Sequence, residues 1–128
     1  MPDAVDLRAR LVEYVDAVNS RDASAIADQF SPDAVHADPV TNPPHVGRAA
    51  ITAFFQDGIA ASDHWRFSAP RVHTCGALVA IDFEIAVVTG GQTLTISGIE
   101  VFCAGEDGRF VSAHAYWDEN DVTVDAQP

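Results

Sequence analysis

The spacing of apolar residues predicts helices in the first half of the chain. The first helix is predicted over Ala4 to Ser20, where Asp3 can cap the N-terminus and apolar residues recur at helical spacing: Leu7, Leu11, Val15 and Val18. Tyr14 lies on the same stripe. Shorter patterns predict a second helix from the Asp22 cap to about Phe30 and a third helix from Arg48 to Ala60.

Alternating apolar and polar residues predict strands in the second half. The alternation begins near His64, a turn sequence occupies Thr89 to Gln92, and the last strand is predicted over Arg109 to Trp117. One further short strand is predicted over Ala34 to Asp38, where Pro39 ends regular pairing and keeps the preceding residue extended. Helices followed by a mostly antiparallel sheet predict an α+β fold. Because 128 residues suffice for one hydrophobic core, we expect a single domain over residues 1–128.

The charge balance narrows the classes of partner. Seven Lys and Arg against nineteen Asp and Glu give a net charge of −12, which repels nucleic acid and anionic membranes and favours a small neutral or cationic ligand. The N-terminal residues lack the basic region and apolar run of a signal peptide, so we expect the protein in the cytoplasm. Cys75 and Cys103 lie 28 positions apart, and the sequence has no nucleotide-binding loop or metal-ligand spacing, so we expect no metal and no cofactor.

Two acidic residues fall in apolar surroundings. Asp38 lies in the segment AVHADPV, although a turn-capping role before Pro39 is the commoner interpretation of such an aspartate. Glu100 shares strand parity with Ile96 and Phe102, which favours its burial. Its sequence neighbours are apolar too, however, and a β-bulge would move Glu100 to the opposite face of the strand. Because a buried acid is costly unless it is paired or protonated, both positions are candidates for chemistry.

Tyr14, Trp117 and His36 each leave a structural and a functional interpretation open. A buried tyrosine hydroxyl needs a hydrogen-bond partner, whereas a structural tyrosine extends its tip to water. Trp117 can be a core or rim residue, and the five histidines are scattered without a ligand spacing. His36 shares strand parity with Asp38, so it can point into the same space.

The order of these residues resembles one family. A helical tyrosine, the segment ADPVTNPPHVGRAAITAFF over residues 37–55, a strand acid nine residues before Arg109 and a final AYW resemble the bacterial ketosteroid isomerases over the whole chain. The resemblance implies the cone fold of the nuclear-transport-factor-like superfamily. In that fold three N-terminal helices pack on a curved, mostly antiparallel sheet that forms a conical barrel with an apolar pocket. The resemblance also implies a homodimer.

The same resemblance implies an activity, the shift of a steroid double bond from Δ5 to Δ4 by proton transfer. Asp38 would be the general base, and Tyr14 and Glu100 would donate hydrogen bonds to the 3-oxygen of a dienolate. A modestly perturbed aspartate base and a neutral carboxylic acid donor are known features of this family. The steroid pocket would be lined by apolar and aromatic residues: Val18, Phe54, Ile81, Phe83, Ala115 and Trp117.

The sequence departs from the family pattern at three places. Glu100 stands where an aspartate is usual. The added methylene moves the carboxyl by about a bond length, and a displacement of that size can change a catalytic rate. Phe30 and Phe55 stand where members often have tyrosines that support the catalytic tyrosine. His36 stands where an apolar residue is expected, and it would add polarity to the pocket. Two alternatives stay open: a related cone-fold cyclase or aldol-type enzyme that uses His36 as an extra acid, and a non-catalytic module that binds a hydrophobic ligand.

Overall fold

The computed structural model describes residues 3–126, which form three α-helices, seven strands and one short 3-10 turn. In chain order the elements are α1 Ala4–Ser20, α2 Ala23–Ala27, β1 Phe30–Ala37, β2 His45–Val46, α3 Arg48–Ala60, β3 His64–Cys75, β4 Leu78–Thr89, β5 Gln92–Ala104, β6 Phe110–Tyr116, the 3-10 turn Glu119–Asp121 and β7 Val122–Ala126. Asp3 caps α1, since its carboxylate accepts a hydrogen bond of 2.9 Å from the backbone N–H of Asp6. Among residues 3–126 no helix is long and apolar enough to cross a membrane.

The strands form one sheet in the order β2-β1-β6-β5-β4-β3, and β7 pairs with the first part of β5. β1 and β6 run parallel, and the other pairs are antiparallel. Within the described part of the chain the end strands β2 and β3 do not pair, so the sheet is open and does not close into the conical barrel that the resemblance implied. The edge strand β2 has only two residues, so it has almost no backbone groups that could pair with another strand and close the sheet.

The α+β class is confirmed, together with the bounds predicted for α1 and α3. The second helix is shorter than predicted, because α2 ends at Ala27 and Phe30 already begins β1. The strand accommodates Pro32 where its pairing with β6 is irregular, between Phe30 and Val35. A strand between the second and third helices was predicted over Ala34 to Asp38, and the structure has β1 there over Phe30–Ala37, followed by β2. The three N-terminal helices of the resemblance are therefore not consecutive along the chain. β7 was not predicted, although Val122, Val124 and Ala126 alternate with polar residues, and its side chains are mostly exposed.

Strand alternation places one row of apolar side chains on the face of the sheet that the helices cover. On β4 the inner residues include Val79, Ile81 and Phe83, and Phe102 on β5 lies opposite Val79. The helices add buried residues to the same core: Leu7, Leu11, Tyr14 and Val18 from α1, Ile26 from α2, and Ile51 and Phe55 from α3. Glu100 falls on this inner face and is only 4% exposed, so the burial expected from strand parity is confirmed.

Gly47 and Arg48 anchor the start of α3. Gly47 has a φ of 90°, a conformation that favours glycine. Arg48 donates a hydrogen bond of 2.6 Å to the backbone carbonyl of Phe30, which ties the start of α3 to the start of β1. The helix is thereby held against β1, with Phe54 and Phe55 about two turns after its start.

Candidate active site

Three titratable side chains from three separate elements meet at one small chamber. Tyr14 comes from α1, Asp38 from the loop after β1, and Glu100 from the inner face of β5. The chamber has a volume of about 60 Å³, and its other lining residues are apolar: Val18, Phe55, Phe67, Phe83 and Ile85. The structure therefore brings together the three residues that the resemblance assigns to catalysis.

A larger apolar cavity adjoins this chamber. It has a volume of about 450 Å³ and shares four wall residues with the chamber: Val18, Asp38, Phe55 and Ile85. The rest of its wall consists of Phe54, Asp57, Gly58, Trp65, Val87, Ile96 and Trp117. This size and lining fit a small, mostly apolar molecule. A groove of similar volume, about 440 Å³, lies between α1 and β3, but none of the three titratable residues of the chamber lines it.

Asp38 borders both the chamber and the larger cavity. The indole Nε1 of Trp117 donates a hydrogen bond of 2.6 Å to its Oδ1, and the Asp38–Pro39 peptide bond is cis. Burial raises the pKa of Asp38 above its ordinary value, while the Trp117 hydrogen bond and the charge of His45 act in the opposite direction. The carboxylate is therefore a stronger base than that of an exposed aspartate, and Trp117 fixes one of its oxygens.

Glu100 lies in an apolar setting on the sheet, directly opposite Ile81 on one neighbouring strand and Ala115 on the other. Burial raises the pKa of Glu100 well above its ordinary value, and the charge of Asp38 raises it further. Two carboxyls in one small chamber do not both ionise readily, and the Trp117 hydrogen bond stabilises the ionised form of Asp38. The site therefore favours the negative charge on Asp38 and a protonated Glu100. A protonated carboxyl can donate a hydrogen bond.

Tyr14 is only 2% exposed, and its ring meets four phenylalanine rings edge-on with centroids 5.1 to 6.1 Å away: Phe30, Phe67, Phe102 and Phe110. Burial, followed by the neighbouring carboxyl groups of Glu100 and Asp38, raises the pKa of Tyr14 well above its ordinary value, so the phenol stays protonated. Within residues 3–126 neither the Tyr14 hydroxyl nor the Glu100 carboxyl forms a hydrogen bond to the protein. Both donors are therefore available to a ligand oxygen.

Four of the predicted pocket residues line the chamber or the larger cavity: Val18, Phe54, Phe83 and Trp117. Ile81 and Ala115 do not line either space, because each is 1% exposed and lies on a strand beside Glu100. Their position gives them a different part in the site. They supply the apolar surroundings that keep Glu100 uncharged.

His36 is fully buried and lies outside the cavity wall. Its ring packs against His45, Phe54 and Phe55 with centroid distances of 5.6, 5.1 and 5.4 Å. Neither ring nitrogen has a hydrogen-bond partner in the part of the chain that the structure describes. Burial, with the charges of His45 and His114, lowers the pKa of His36 to about 3, so the ring is neutral at neutral pH. The structure thus gives His36 a place in the packing around Phe54 and not in the space that holds the base.

The sequence did not single out several wall residues: Trp65, Phe67, Ile85, Val87 and Ile96. Ile85 and Val87 share the parity of Phe83 on β4, so the alternation that predicted the strand could have identified them. Trp65 and Phe67 alternate in the same way on β3, but the pattern does not tell which strand borders the cavity.

Gly98 contributes to the shape of the chamber. A Cβ at this position would collide with the backbone carbonyl of Tyr116 and would lie 3.0 Å from the ring of Phe83. The missing side chain therefore lets the Phe83 ring occupy the inner face of the sheet beside Glu100. Neither the composition nor the spacing of the chain indicated this requirement.

The chamber holds one carboxylate and two neutral hydrogen-bond donors at the inner end of an apolar cavity. In the described range no group of three or more His, Cys, Asp or Glu side chains is arranged to hold a metal ion. A carboxylate beside two donors suits the removal of a proton next to a carbonyl group, because the donors stabilise the oxyanion that develops.

Comparison with known proteins places this geometry in a family. The model of the SnoaL-like domain matches residues 11–113, a range that includes all three chamber residues named above. The chain belongs to the SnoaL-like family. This SnoaL-like protein is 30% identical to a steroid Δ-isomerase from Nocardioides simplex, and the match covers 94% of the chain and 97% of that protein.

Two further relatives of this SnoaL-like protein have other activities in their names. Epoxide hydrolase LasB of Streptomyces lasalocidi is 27% identical, and the match covers the whole chain but 47% of LasB. The solved structure of SalBIII, an epoxide hydrolase/cyclase-like enzyme of pyran ring formation in the polyether salinomycin, has a TM-score of 0.89 at 24% identity and covers 97% of this chain and 99% of that one. This chain thus shares its fold with SalBIII, and the relatives named here are enzymes.

Proposed function

We propose that this SnoaL-like protein is a cofactor-independent steroid isomerase that moves the double bond of a Δ5-3-ketosteroid to the Δ4 position. The observation that carries the proposal is the chamber that Asp38, Tyr14 and Glu100 line together. The raised pKa values of Tyr14 and Glu100 favour their protonated forms, which can donate hydrogen bonds. The identity of 30% to a steroid Δ-isomerase along almost the whole chain supports the substrate class.

Asp38 acts as the base in this reaction. Its carboxylate removes a proton from carbon 4, the electrons of that C–H bond form a double bond between carbons 3 and 4, and the carbonyl electrons move onto the 3-oxygen. The carbonyl then re-forms, the electrons of the double bond between carbons 3 and 4 move to lie between carbons 4 and 5, and the electrons of the original double bond between carbons 5 and 6 take the proton back from Asp38 at carbon 6. The carboxylate is regenerated and no electron leaves the steroid, so the reaction needs no oxidant or cofactor.

Tyr14 and Glu100 stabilise the dienolate between the two proton transfers. Their protonated side chains donate hydrogen bonds to the 3-oxygen, which is most basic when it carries the negative charge, so the donors favour the intermediate over the substrate. The apolar wall supports both roles, because burial keeps Glu100 protonated and raises the basicity of Asp38. Val18, Phe54, Phe83 and Trp117 then hold the hydrocarbon rings.

A related cyclase or epoxide-opening enzyme is the second candidate, and the similarity to LasB and SalBIII favours it. The same groups would serve: Asp38 as a base for a nucleophilic oxygen and Glu100 as a neutral acid for a leaving oxygen. A non-catalytic binding module is the third candidate. The raised pKa values of Asp38 and Glu100 speak against it, since perturbed carboxyls cluster at catalytic sites.

We also propose a homodimer formed through the outer face of the sheet. Ile99 and Tyr116 lie opposite each other on β5 and β6, and they are 42% and 51% exposed. Val111 and Leu78 add further exposed apolar surface at 39% and 44%. Light scattering after gel filtration measures the mass, and a monomer at micromolar concentration would reject this assembly.

The isomerase is tested by mixing the dialysed, chelator-treated protein with 5-androstene-3,17-dione and following the absorbance of the conjugated enone. We expect rapid turnover without added metal or nucleotide. Asp38→Asn should lower kcat by several orders of magnitude with little change in steroid affinity, because the base is lost while the cavity keeps its shape. Steroid binding without any enone formation would favour the cyclase or the binding module.

A further inference from the structure

The outer part of the cavity carries a second carboxylate. On α3, Phe55 lines both the inner chamber and the larger cavity, whereas Asp57 and Gly58 line only the larger cavity. The same order holds on β4, where Ile85 lines both spaces and Val87 lines only the larger one. Two or three residues advance about 3 to 7 Å along a helix or strand, so Asp57 lies toward the mouth of the cavity, displaced from the chamber.

Asp57 and Asp38 are the two charged residues on the wall of the larger cavity, and the other nine wall residues are apolar side chains or glycine. No cationic side chain among the described residues lines this space. Arg21 stacks on the Trp65 ring at 4.7 Å, but its guanidinium is bound to Ser62 and does not line the cavity. Asp57 is exposed and forms no ion pair with a described residue.

We infer that Asp57 is a specificity-determining residue that selects the group at the outer end of the ligand. A ligand whose carbonyl lies in the chamber extends its hydrocarbon rings along the cavity toward α3. There Asp57 accepts a hydrogen bond from a hydroxyl and repels a carboxylate or a sulfate. The inference rests on the proposed function and narrows its substrates to neutral ketosteroids with a hydroxyl on the ring remote from the reacting one, and it excludes acidic steroids.

The size of the effect follows from the exposure of Asp57. Two like charges about 4 Å apart in water repel each other by an energy that corresponds to roughly a fivefold change in affinity. A hydrogen bond from a hydroxyl to a carboxylate is stronger than one between neutral groups, but solvent competes for an exposed carboxylate. We therefore expect the affinity for a hydroxyl ligand to exceed that for a neutral ligand without one by about three- to tenfold, and the affinity for a carboxylate ligand to be lower by a similar factor. The effect of charge repulsion on the carboxylate ligand should decrease as the salt concentration increases.

The test measures binding and does not require turnover. Trp65 and Trp117 both line the cavity, so quenching of tryptophan fluorescence can report a bound ligand. Three Δ4-3-ketosteroids that differ only at carbon 17 serve as probes: one with a hydroxyl, one with a ketone and one with a carboxylate. Asp57→Asn removes the charge from an exposed helical position. Asp33→Asn is the matched control, because it makes the same change in net charge at an exposed site that lines neither space.

We expect the wild type to bind the hydroxyl steroid more tightly than the ketone and the carboxylate. Asp57→Asn should tighten binding of the carboxylate three- to tenfold and reduce the preference for the hydroxyl, while Asp33→Asn should leave both ratios unchanged. Equal shifts in the two variants, or a wild type that binds all three probes equally, would overturn the inference. Discrimination without turnover would reject the isomerase and keep Asp57 as the selector. Turnover without discrimination would keep the isomerase and reject Asp57 as the selector. Failure of all three probes to bind would reject both the isomerase and the role of Asp57.

Discussion

Trp117→Phe tests how the structure sets the basicity of Asp38. Burial raises the pKa of Asp38, and the hydrogen bond of 2.6 Å from the Trp117 indole lowers it. Phenylalanine keeps an aromatic ring on the cavity wall but has no donor. The variant should therefore raise the pKa of Asp38 further, because burial remains as the largest cause while the stabilisation of the carboxylate is lost.

A hydrogen bond to a charged group contributes about 1.5–3 kcal/mol. Asp38 is half-buried, so water can replace part of the lost bond, and we take a value near the lower limit. About 1.4 kcal/mol corresponds to one pKa unit. Since the base must be ionised to act, the acidic limb of kcat/KM against pH should move upward by about one unit. Well below that limb the variant should be roughly tenfold slower than the wild type, after both are normalised to their plateaus.

Trp65→Phe is the matched control. Trp65 lines the same cavity, but its indole donates a hydrogen bond of 2.7 Å to the backbone carbonyl of Val18 and not to Asp38. This variant should lose stability and some ligand affinity while the acidic limb stays in place. The assay is the initial rate of enone formation between pH 4 and 9, with steroid affinity measured in parallel. An acidic limb that does not move in Trp117→Phe, or that moves equally in Trp65→Phe, would refute the reasoning.

Two further predictions concern the buried titratable groups. Glu100→Gln keeps a donor in nearly the same place, so it should retain much more activity than Glu100→Ala. Glu100→Asp should slow turnover, because the carboxyl withdraws by one methylene from the ligand oxygen. Equal rates for the Gln and Ala variants would remove Glu100 from the site. His36 is neutral in the folded protein with a pKa of about 3, so its contribution to stability is present above pH 6.5 and is lost as pH falls toward 3. His36→Phe should therefore lose less stability than the wild type between pH 7 and 4. Urea unfolding of both proteins at each pH measures this, and an equal loss of unfolding free energy in the two proteins would contradict the prediction.

The helices were predictable where local sequence decides the structure. An apolar stripe and a capping aspartate define α1, and the glycine before Arg48 marks the start of α3. The end of α2 was not predictable in the same way, because Phe30 fits both a helix and a strand. Its assignment to β1 depends on parallel pairing with Phe110, which lies 80 positions away. The openness of the sheet likewise depends on which strands lie at its two edges, and the alternation that predicted β3 does not specify its pairing partners.

The site was predictable in its chemistry and less so in its walls. Asp38 and Glu100 stood out because each interrupts an apolar pattern, and burial of Glu100 followed from strand parity. Tyr14 lies on the apolar stripe of α1, and its catalytic role, like the grouping of the three residues, came from the family resemblance. His36 shows the limit of parity, because β1 ends at Ala37, before Asp38, and His36 packs among Phe54, Phe55 and His45. The direction of a side chain next to a loop depends on how the neighbouring helix packs, and the strand pattern does not contain that information.

The central claim is that one carboxylate, Asp38, carries a proton from carbon 4 of a steroid to carbon 6. The most direct measurement uses a Δ5-3-ketosteroid with deuterium at carbon 4, converted by the protein in ordinary water and analysed by mass spectrometry and NMR. If Asp38 holds the label between the two steps, a measurable part of the product should carry deuterium at carbon 6, and Asp38→Asn should form almost no product in the same time. Complete loss of the label from the newly protonated carbon, or undiminished product formation by Asp38→Asn, would contradict the account.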